Sequence, residues 1–389
     1  MDYASIQVEH IFRKTKGDKY IWLVVIFLSI ISMLAVYSST GSLAFKYQGG
    51  NMEYYFMKQV MMILFGLLLM YLAHKINYTY YLRISQLLLY LSIPLLAFTL
   101  FSGVEINDAR RWLTIPVVNV SFQTSDLAKL ALIMYLARVL AKNQGNIKDF
   151  KQGFLPVMLP PMLVCGLIAP SNLSTASILF ATCLLLMFIG RVNMKYIAIM
   201  AGAGILLLGL IIVVAMNTSF HARVDTWGSR MQDFFGHGQE AYQVQQSKIA
   251  IANGGFFGVG PGNSSQRNFL PSPYSDFIYA IIIEEYGFIG ALLLIVLYLF
   301  FLLRCIKLFT KSPGAFGAFL AVGLSFSMVV QALINMAVVV HLLPTTGVTL
   351  PMVSMGGTSL WFTSLAIGII LSVSRNVEQE VEQNEGRKT

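Results

Sequence analysis

Charge is scarce in this chain. Only 12% of its 389 residues are Asp, Glu, Lys or Arg, against 56% hydrophobic residues, and the mean hydropathy is +0.68. A soluble fold of this length cannot hide that much apolar surface, so the scarcity excludes a soluble globular protein and makes lipid the solvent. Cysteine is scarce as well. Cys165, Cys183 and Cys305 fall in or beside apolar runs, with no spacing for a disulfide framework or a metal cage, and read as small core residues. The five histidines are scattered, which removes the case for a bound transition metal. No internal repeat is visible, which weighs against an inverted-repeat transporter without excluding one.

What is abundant is apolar run length. About 20 residues at 1.5 Å rise cross a hydrocarbon core. Runs of that order lie near 20–40, 57–74, 82–101, 125–141, 154–170, 173–190, 194–216, 277–303, 314–340 and 356–374. The fold class expected is therefore all-α: a polytopic membrane protein of about ten transmembrane helices, with a large extracellular loop, 217–275, between helices 7 and 8. The run 125–141 is the weakest, because it carries Asp126, Lys129 and Arg138. The apolar run after Lys19 is too long, and lacks the small-residue site, for a cleavable signal peptide.

Basic residues orient the bundle. With the N-terminus inside, 18 of the 27 Lys and Arg fall on inner segments, and only Lys46, Lys58, Arg110 and Arg111 on short outer ones. The positive-inside rule then places both termini in the cytoplasm, at the inner membrane. The expected organisation is a cytoplasmic segment 1–19, a membrane domain 20–374 and a flexible acidic cytoplasmic tail 375–389. The net charge of +9 follows from this asymmetry and is no sign of nucleic-acid binding; a basic juxtamembrane face favours anionic lipid.

Three outward segments, 102–124, 217–275 and 341–355, carry the polar sequence. The run 254–262 holds five glycines and resembles a phosphate-cradling loop, yet no βαβ context surrounds it. It reads either as a tight turn or as amides facing a diphosphate. Asp276 stands at the outer start of an apolar run. There it is either a helix cap, with Ser275, or a carboxylate whose basicity rises with partial desolvation. Glu284 and Glu285 follow roughly 12–14 Å along the helix. Each costs about 2.5–3.5 kcal/mol at membrane depth, so they face a polar cavity or pair with Lys or Arg. Asp126 and Lys129, three apart, form either a self-neutralised helix start capped by Ser125 or, with Arg110 and Arg111, a cationic site for a diphosphate. Arg110, Arg111 and Trp112 equally suit interfacial anchoring.

Taken together, the motifs resemble the FtsW/RodA/SpoVE family of peptidoglycan glycosyltransferases. They are Ala109-Arg-Arg-Trp112, Phe122-Gln-Thr-Ser-Asp-Leu-Ala-Lys129, Tyr242-Gln-Val-Gln-Gln-Ser247, Ala250-Ile-Ala-Asn-Gly-Gly255, Gly258-Val-Gly-Pro-Gly262, Leu270-Pro271, Asp276-Phe-Ile-Tyr-Ala280, Glu284-Glu-Tyr-Gly287, Asn335, Leu343-Pro344, Gly347, Leu350-Pro351 and Ser354-Met-Gly-Gly357. The pattern lies closest to the FtsW branch. The resemblance implies ten transmembrane helices and polymerisation of lipid II on the outer face, in division or elongation. It implies Asp276 as the essential carboxylate and general base. Arg110, Arg111, Lys129, Asp126, Gln123, Gln246, Ser247, Ser354, Gly356 and Gly357 are then candidate substrate-binding residues, with Glu284 and Glu285 lining a cavity. A divalent cation, Mg or Mn, has a place in such chemistry, but no residue is assigned to it. The implied partners are a class B penicillin-binding protein and other divisome or elongasome membrane proteins. Two departures stand out. The family's Gln-Pro-Ser-Glu is Gln123-Thr-Ser-Asp126 here, an acid one methylene shorter. Its Pro-Asp-Leu-Gly-Thr is Ser171-Asn-Leu-Ser-Thr175, which replaces a carboxylate by Asn172 and gives that position no catalytic role. A lipid II flippase and a non-catalytic divisome scaffold are the competing readings. The membrane-depth charges Glu284, Glu285 and Lys129 also suit a translocation path.

Overall fold

The structure is a computed structural model that describes residues 16–106, 109–115, 120–217, 230, 234 and 242–386. Much of the outward loop, the N-terminal 1–15 and the last three residues lie outside the described ones. Each of the ten apolar runs is a helix: α1 (Lys19–Ser39), α3 (Met52–Lys75), α4 (Tyr78–Ser102), α5 (Thr124–Lys142), α6 (Leu155–Ile168), α7 (Leu173–Ile189), α8 (Met194–Asn217), α10 (Ile278–Lys311), α11 (Ala315–Val339) and α12 (Thr358–Gly386). The short α2 (Gly41–Gln48) and α9 (Tyr242–Gly254) lie between them. Among the described residues, seven helices are long and apolar enough to cross a membrane, with shorter apolar helices besides. The protein is a multi-pass membrane protein.

Local chemistry sets several helix starts. Asp18, Asn51, Asn77 and Asn172 stand at the N-caps of α1, α3, α4 and α7, and each side chain accepts a first-turn amide. Asn172 thus has a structural task in place of the missing carboxylate. The weak fourth run, α5, is a helix whose charges neutralise one another: Lys129 Nζ lies 3.0 Å from Asp126 Oδ1. The most buried helix is α11, packed between α5, α7, α10 and α12.

Three features depart from the sequence expectations. The first is a small antiparallel sheet in a chain read as all-α: β1 (Val104–Ile106), β2 (Ala109–Ile115) and β3 (Val120–Gln123), in the order β1-β2-β3. Trp112 pairs with Gln123 and Thr114 with Ser121 across it. Thr, Val, Ile and aromatic residues favour such a pleated edge.

The second departure is in α10. Gly287 has φ 66° and ψ −161°, so the helix breaks into a buried leg, 278–286, and a membrane-crossing leg, 288–311. The glycine-rich turn after α9 plugs this break. Val259 and Gly260 donate to the freed carbonyls of Glu284 (2.9 Å) and Glu285 (3.0 Å), and the Phe288 amide donates to Gly255 O (3.0 Å). A Cβ on Gly258 would lie 2.1 Å from Glu285 O. Gly254 and Gly258 are therefore present because two backbones touch, Gly255, Gly260 and Gly262 because the turn needs positive φ, and the amides of Gly258, Val259 and Gly260 are spent on backbone carbonyls.

This also corrects Glu284 and Glu285. Both are buried, but they make no ion pair among the described residues. Glu284 accepts hydrogen bonds from the hydroxyls of Ser264 and Ser265 (3.0 Å for Ser265), the Gln266 amide (3.2 Å) and Asn253 Nδ2 (3.3 Å). Glu285 accepts from the Ser38 hydroxyl. The Glu284 carboxylate is satisfied by neutral donors of the outward loop and that of Glu285 by a hydroxyl of α1.

The third departure is the tail, which continues α12 as a helix to Gly386. Glu382 reaches Lys16 (2.9 Å), and Glu378 accepts the Gly17 amide (2.6 Å). These two contacts, one turn apart, keep residues expected to be loose in register.

Candidate functional site

The sheet, α9 and the segment 341–357 gather at one end of the bundle, and Asp276 sits among them. It does not cap α10: the N-cap position belongs to Phe277, without a side-chain bond. Its carboxylate accepts a bond from Ser275 Oγ at 3.0 Å. Its backbone is clamped. Asn335, 1% exposed on α11, gives one Nδ2 hydrogen to Asp276 O (2.8 Å) and the other to Val348 O (2.7 Å). Ser354 accepts from Leu350 N (2.8 Å) and donates to Ser275 O (2.7 Å), while Met355 N donates to Tyr274 O (2.9 Å). Gly347, at φ 65°, lies against the carboxylate; a Cβ there would be 3.5 Å from Asp276 Oδ2.

Two guanidinium groups act on this carboxylate, Arg111 from β2 and Arg230 from the large loop. Arg111 Nε donates to Ser171 O (2.7 Å) and Arg230 Nη1 to Thr345 O (3.2 Å), so backbone carbonyls hold both cations in place. Burial pushes the Asp276 carboxyl above its ordinary range, and the Ser275 bond, Arg111 and Arg230 pull it part of the way back. The result is a carboxylate with raised basicity beside two anchored cations.

The remaining candidates divide. Lys129 spends its charge on Asp126 and donates to Gln331 Oε1 (2.9 Å), next to a cavity of about 50 Å³. That space has room for a few water molecules. Gln331 in turn donates to Thr349 O (3.1 Å), in the segment that carries Gly347 and Ser354. Of the neutralised reading of this pair the structure has the ion pair but not the Ser125 cap, since the N-cap position is Gln123 and carries no side-chain bond. Gln123 bonds Ser125 Oγ (2.8 Å) at the sheet edge. Ser247 is buried on α9 and donates to Val339 O (2.8 Å), so that hydroxyl, like that of Ser354, is spent within the fold. Gln246 beside it is half-buried, and Gly356 and Gly357 lead into α12, Gly357 at φ 56°. Arg110 pairs with Glu105 in the sheet register, and its side chain lies outside the described ones. Sequence reasoning missed Arg230, and it assigned no role to Gln331 and Asn335. The signal for the latter two was present: amide side chains four apart inside an apolar span are expensive and share a face.

The sequence pattern of the FtsW/RodA/SpoVE family, described as "Cell cycle protein", matches residues 18–379. The chain belongs to that family. Among its relatives, Stage V sporulation protein E of Bacillus subtilis (strain 168) is 32% identical over 369 residues, covering 93% of this chain and 98% of that protein. A "Probable peptidoglycan glycosyltransferase FtsW" of Trichlorobacter lovleyi is also 32% identical, over 94% of this chain and 95% of its own length. The family fold is seen in a solved chain from a study of polymerization and crosslinking by a peptidoglycan synthase complex, with TM-score 0.74, 23% identity and coverage of 93% of this chain and 99% of that one. It is seen again in the Rod shape determining protein RodA of Thermus thermophilus, with TM-score 0.68, 22% identity and coverage of 92% and 97%.

The divalent cation left open by the resemblance finds no cage among the described residues. Among the described residues no three His, Cys, Asp or Glu side chains stand together to hold one. Asp276 has arginines for neighbours, a set suited to an anionic ligand and unsuited to a protein-held Mg or Mn.

Proposed function

We propose that this FtsW/RodA/SpoVE protein is a peptidoglycan glycosyltransferase that polymerises lipid II into glycan strands at the outer face of the cytoplasmic membrane, during division or elongation, with both termini in the cytoplasm. The observation that carries the mechanism is the half-buried Asp276 carboxylate beside Arg111 and Arg230. Asp276 takes the proton from the acceptor sugar hydroxyl. The hydroxyl oxygen attacks the donor's anomeric carbon with inversion, and the bond from that carbon to undecaprenyl diphosphate breaks, its electron pair leaving with the diphosphate. Such a leaving group needs charge stabilisation and little acid assistance, which assigns Arg111 and Arg230 to its oxygens. A class B penicillin-binding protein is the partner that crosslinks the product.

The test is conversion of labelled lipid II to polymer by the purified chain together with a class B penicillin-binding protein. Glycan ladders support the proposal. Transbilayer movement of lipid II in vesicles without polymer overturns it in favour of a flippase.

Asn335 positions Asp276, and Asn335→Leu is expected to slow polymerisation by about 10²-fold, since a displacement near 1 Å has effects of that order. It leaves the carbonyls of Asp276 and Val348 without this donor, and each buried orphan costs about 1–3 kcal/mol. The purified variant should therefore also melt at lower temperature. Unchanged kcat would remove the positioning role.

A further inference from the structure

The opposite end of the bundle holds a cavity of about 480 Å³, formed where the ends of α1, α10 and α12 meet. That volume lies within the ~300–1,000 Å³ of pockets that take small molecules. Lys19, Lys307 and Lys311 are among the residues that line it. The acids around it already have partners. Asp18 is bound by Arg304 (Nε to Oδ2, 2.9 Å), which itself lies over the Tyr20 ring at 4.4 Å. Glu382 is held by Lys16 and Glu378 by the Gly17 amide. Among the described residues no carboxylate bonds the three lysines. Lys307 and Lys311 stand one turn apart on the same helix face, where like charges repel. Beside them Leu308, Val377 and Val381 form an apolar wall. Leu308 follows Gly287 by about 20 residues, roughly 30 Å of helix and one hydrocarbon thickness, so the cavity sits at headgroup level.

We propose that this cavity binds the phosphodiester headgroup of an anionic phospholipid, its phosphate facing the three lysines and the start of its acyl chains against Leu308, Val377 and Val381. The inference is independent of the glycosyltransferase reading and of the bundle's orientation. Basic pockets between membrane helices take such headgroups, and each lysine near an anionic lipid contributes about a fivefold gain in binding.

Native mass spectrometry of the purified full chain, titrated with phosphatidylglycerol or with phosphatidylcholine of identical chains, tests it. The expected result is at least tenfold preference for phosphatidylglycerol. Lys19→Gln/Lys307→Gln/Lys311→Gln should lose that preference, while Lys142→Gln/Lys148→Gln/Lys151→Gln, outside the cavity, should keep it. Replacing the three cavity lysines by arginine should keep it too. If the triple glutamine variant does not fold, Lys307→Gln alone, an exposed position, should show about a fivefold loss. Preference that survives the cavity substitutions overturns the proposal. So does displacement of the lipid by inorganic phosphate at equal concentration, which would mark a free-anion site.

Discussion

Asp276→Asn should lower lipid II polymerisation by roughly 10²–10⁴-fold, the usual contribution of a positioned general base, without unfolding the protein. The sign of the stability effect separates loss of chemistry from loss of fold. Burial raises the Asp276 pKa above its ordinary 3.8. A carboxyl that binds its proton more tightly when folded contributes stability below its unfolded pKa, and loses it as pH rises through the folded one. At neutral pH the ionised group is therefore a cost that asparagine removes. Loss of the attraction to Arg111 and Arg230 offsets part of that gain. The variant should melt at the wild-type temperature or above while making no polymer, as seen by thermal denaturation and gel analysis of one preparation. Melting well below wild type would mean that Asp276 holds the fold together, and the assigned role would fall with it.

Gly287→Ala should do the reverse and remove the fold. Its φ 66°, ψ −161° backbone is in a region reserved almost wholly for glycine. An added Cβ would lie 2.4 Å from Phe256 O and 2.5 Å from Gly258 N, both backbone atoms that cannot swing aside. Strain and displacement together should cost about 3 kcal/mol or more. The consequence reaches the site, because the turn that plugs the break is continuous with the loop leading to Asp276. Purified Gly287→Ala should melt well below wild type. Gly166→Ala, with no atom within 4 Å of its added Cβ, serves as the control and should not. Equal melting of both would contradict the account of the kink.

The ten spans were legible because apolar run length is a local property, and a helix formed on every expected run, although α10 continues to Lys311 and α12 to Gly386. Asp276 stood out as a candidate for a similar reason, since a carboxylate where an outward polar segment meets an apolar helix is conspicuous in one dimension, while its role as base came only from the resemblance. Other features needed the third dimension. The spacing of Asp126 and Lys129 allowed either an ion pair or a free cation, and only the position of Gln331 opposite them decides. Glu284 and Glu285 were correctly marked as costly, but their donors come from Ser38 and from 253–266, and no spacing rule connects those stretches. Arg230 looked like any basic residue of a polar loop until Thr345 and Asp276 were found beside it. The sheet was hidden because its strands are short and lie in a segment read as irregular.

The base assignment meets its most direct test in the pH dependence of polymerisation by wild type and by Arg230→Gln. The rate should fall as pH drops through the Asp276 pKa, with an acid limb above the ordinary carboxylate value of 3.8. Arg230 pulls that pKa down, so its removal should move the limb to higher pH, whatever it does to the maximal rate. A limb that stays in place or moves to lower pH would contradict the claim that Asp276 takes the proton.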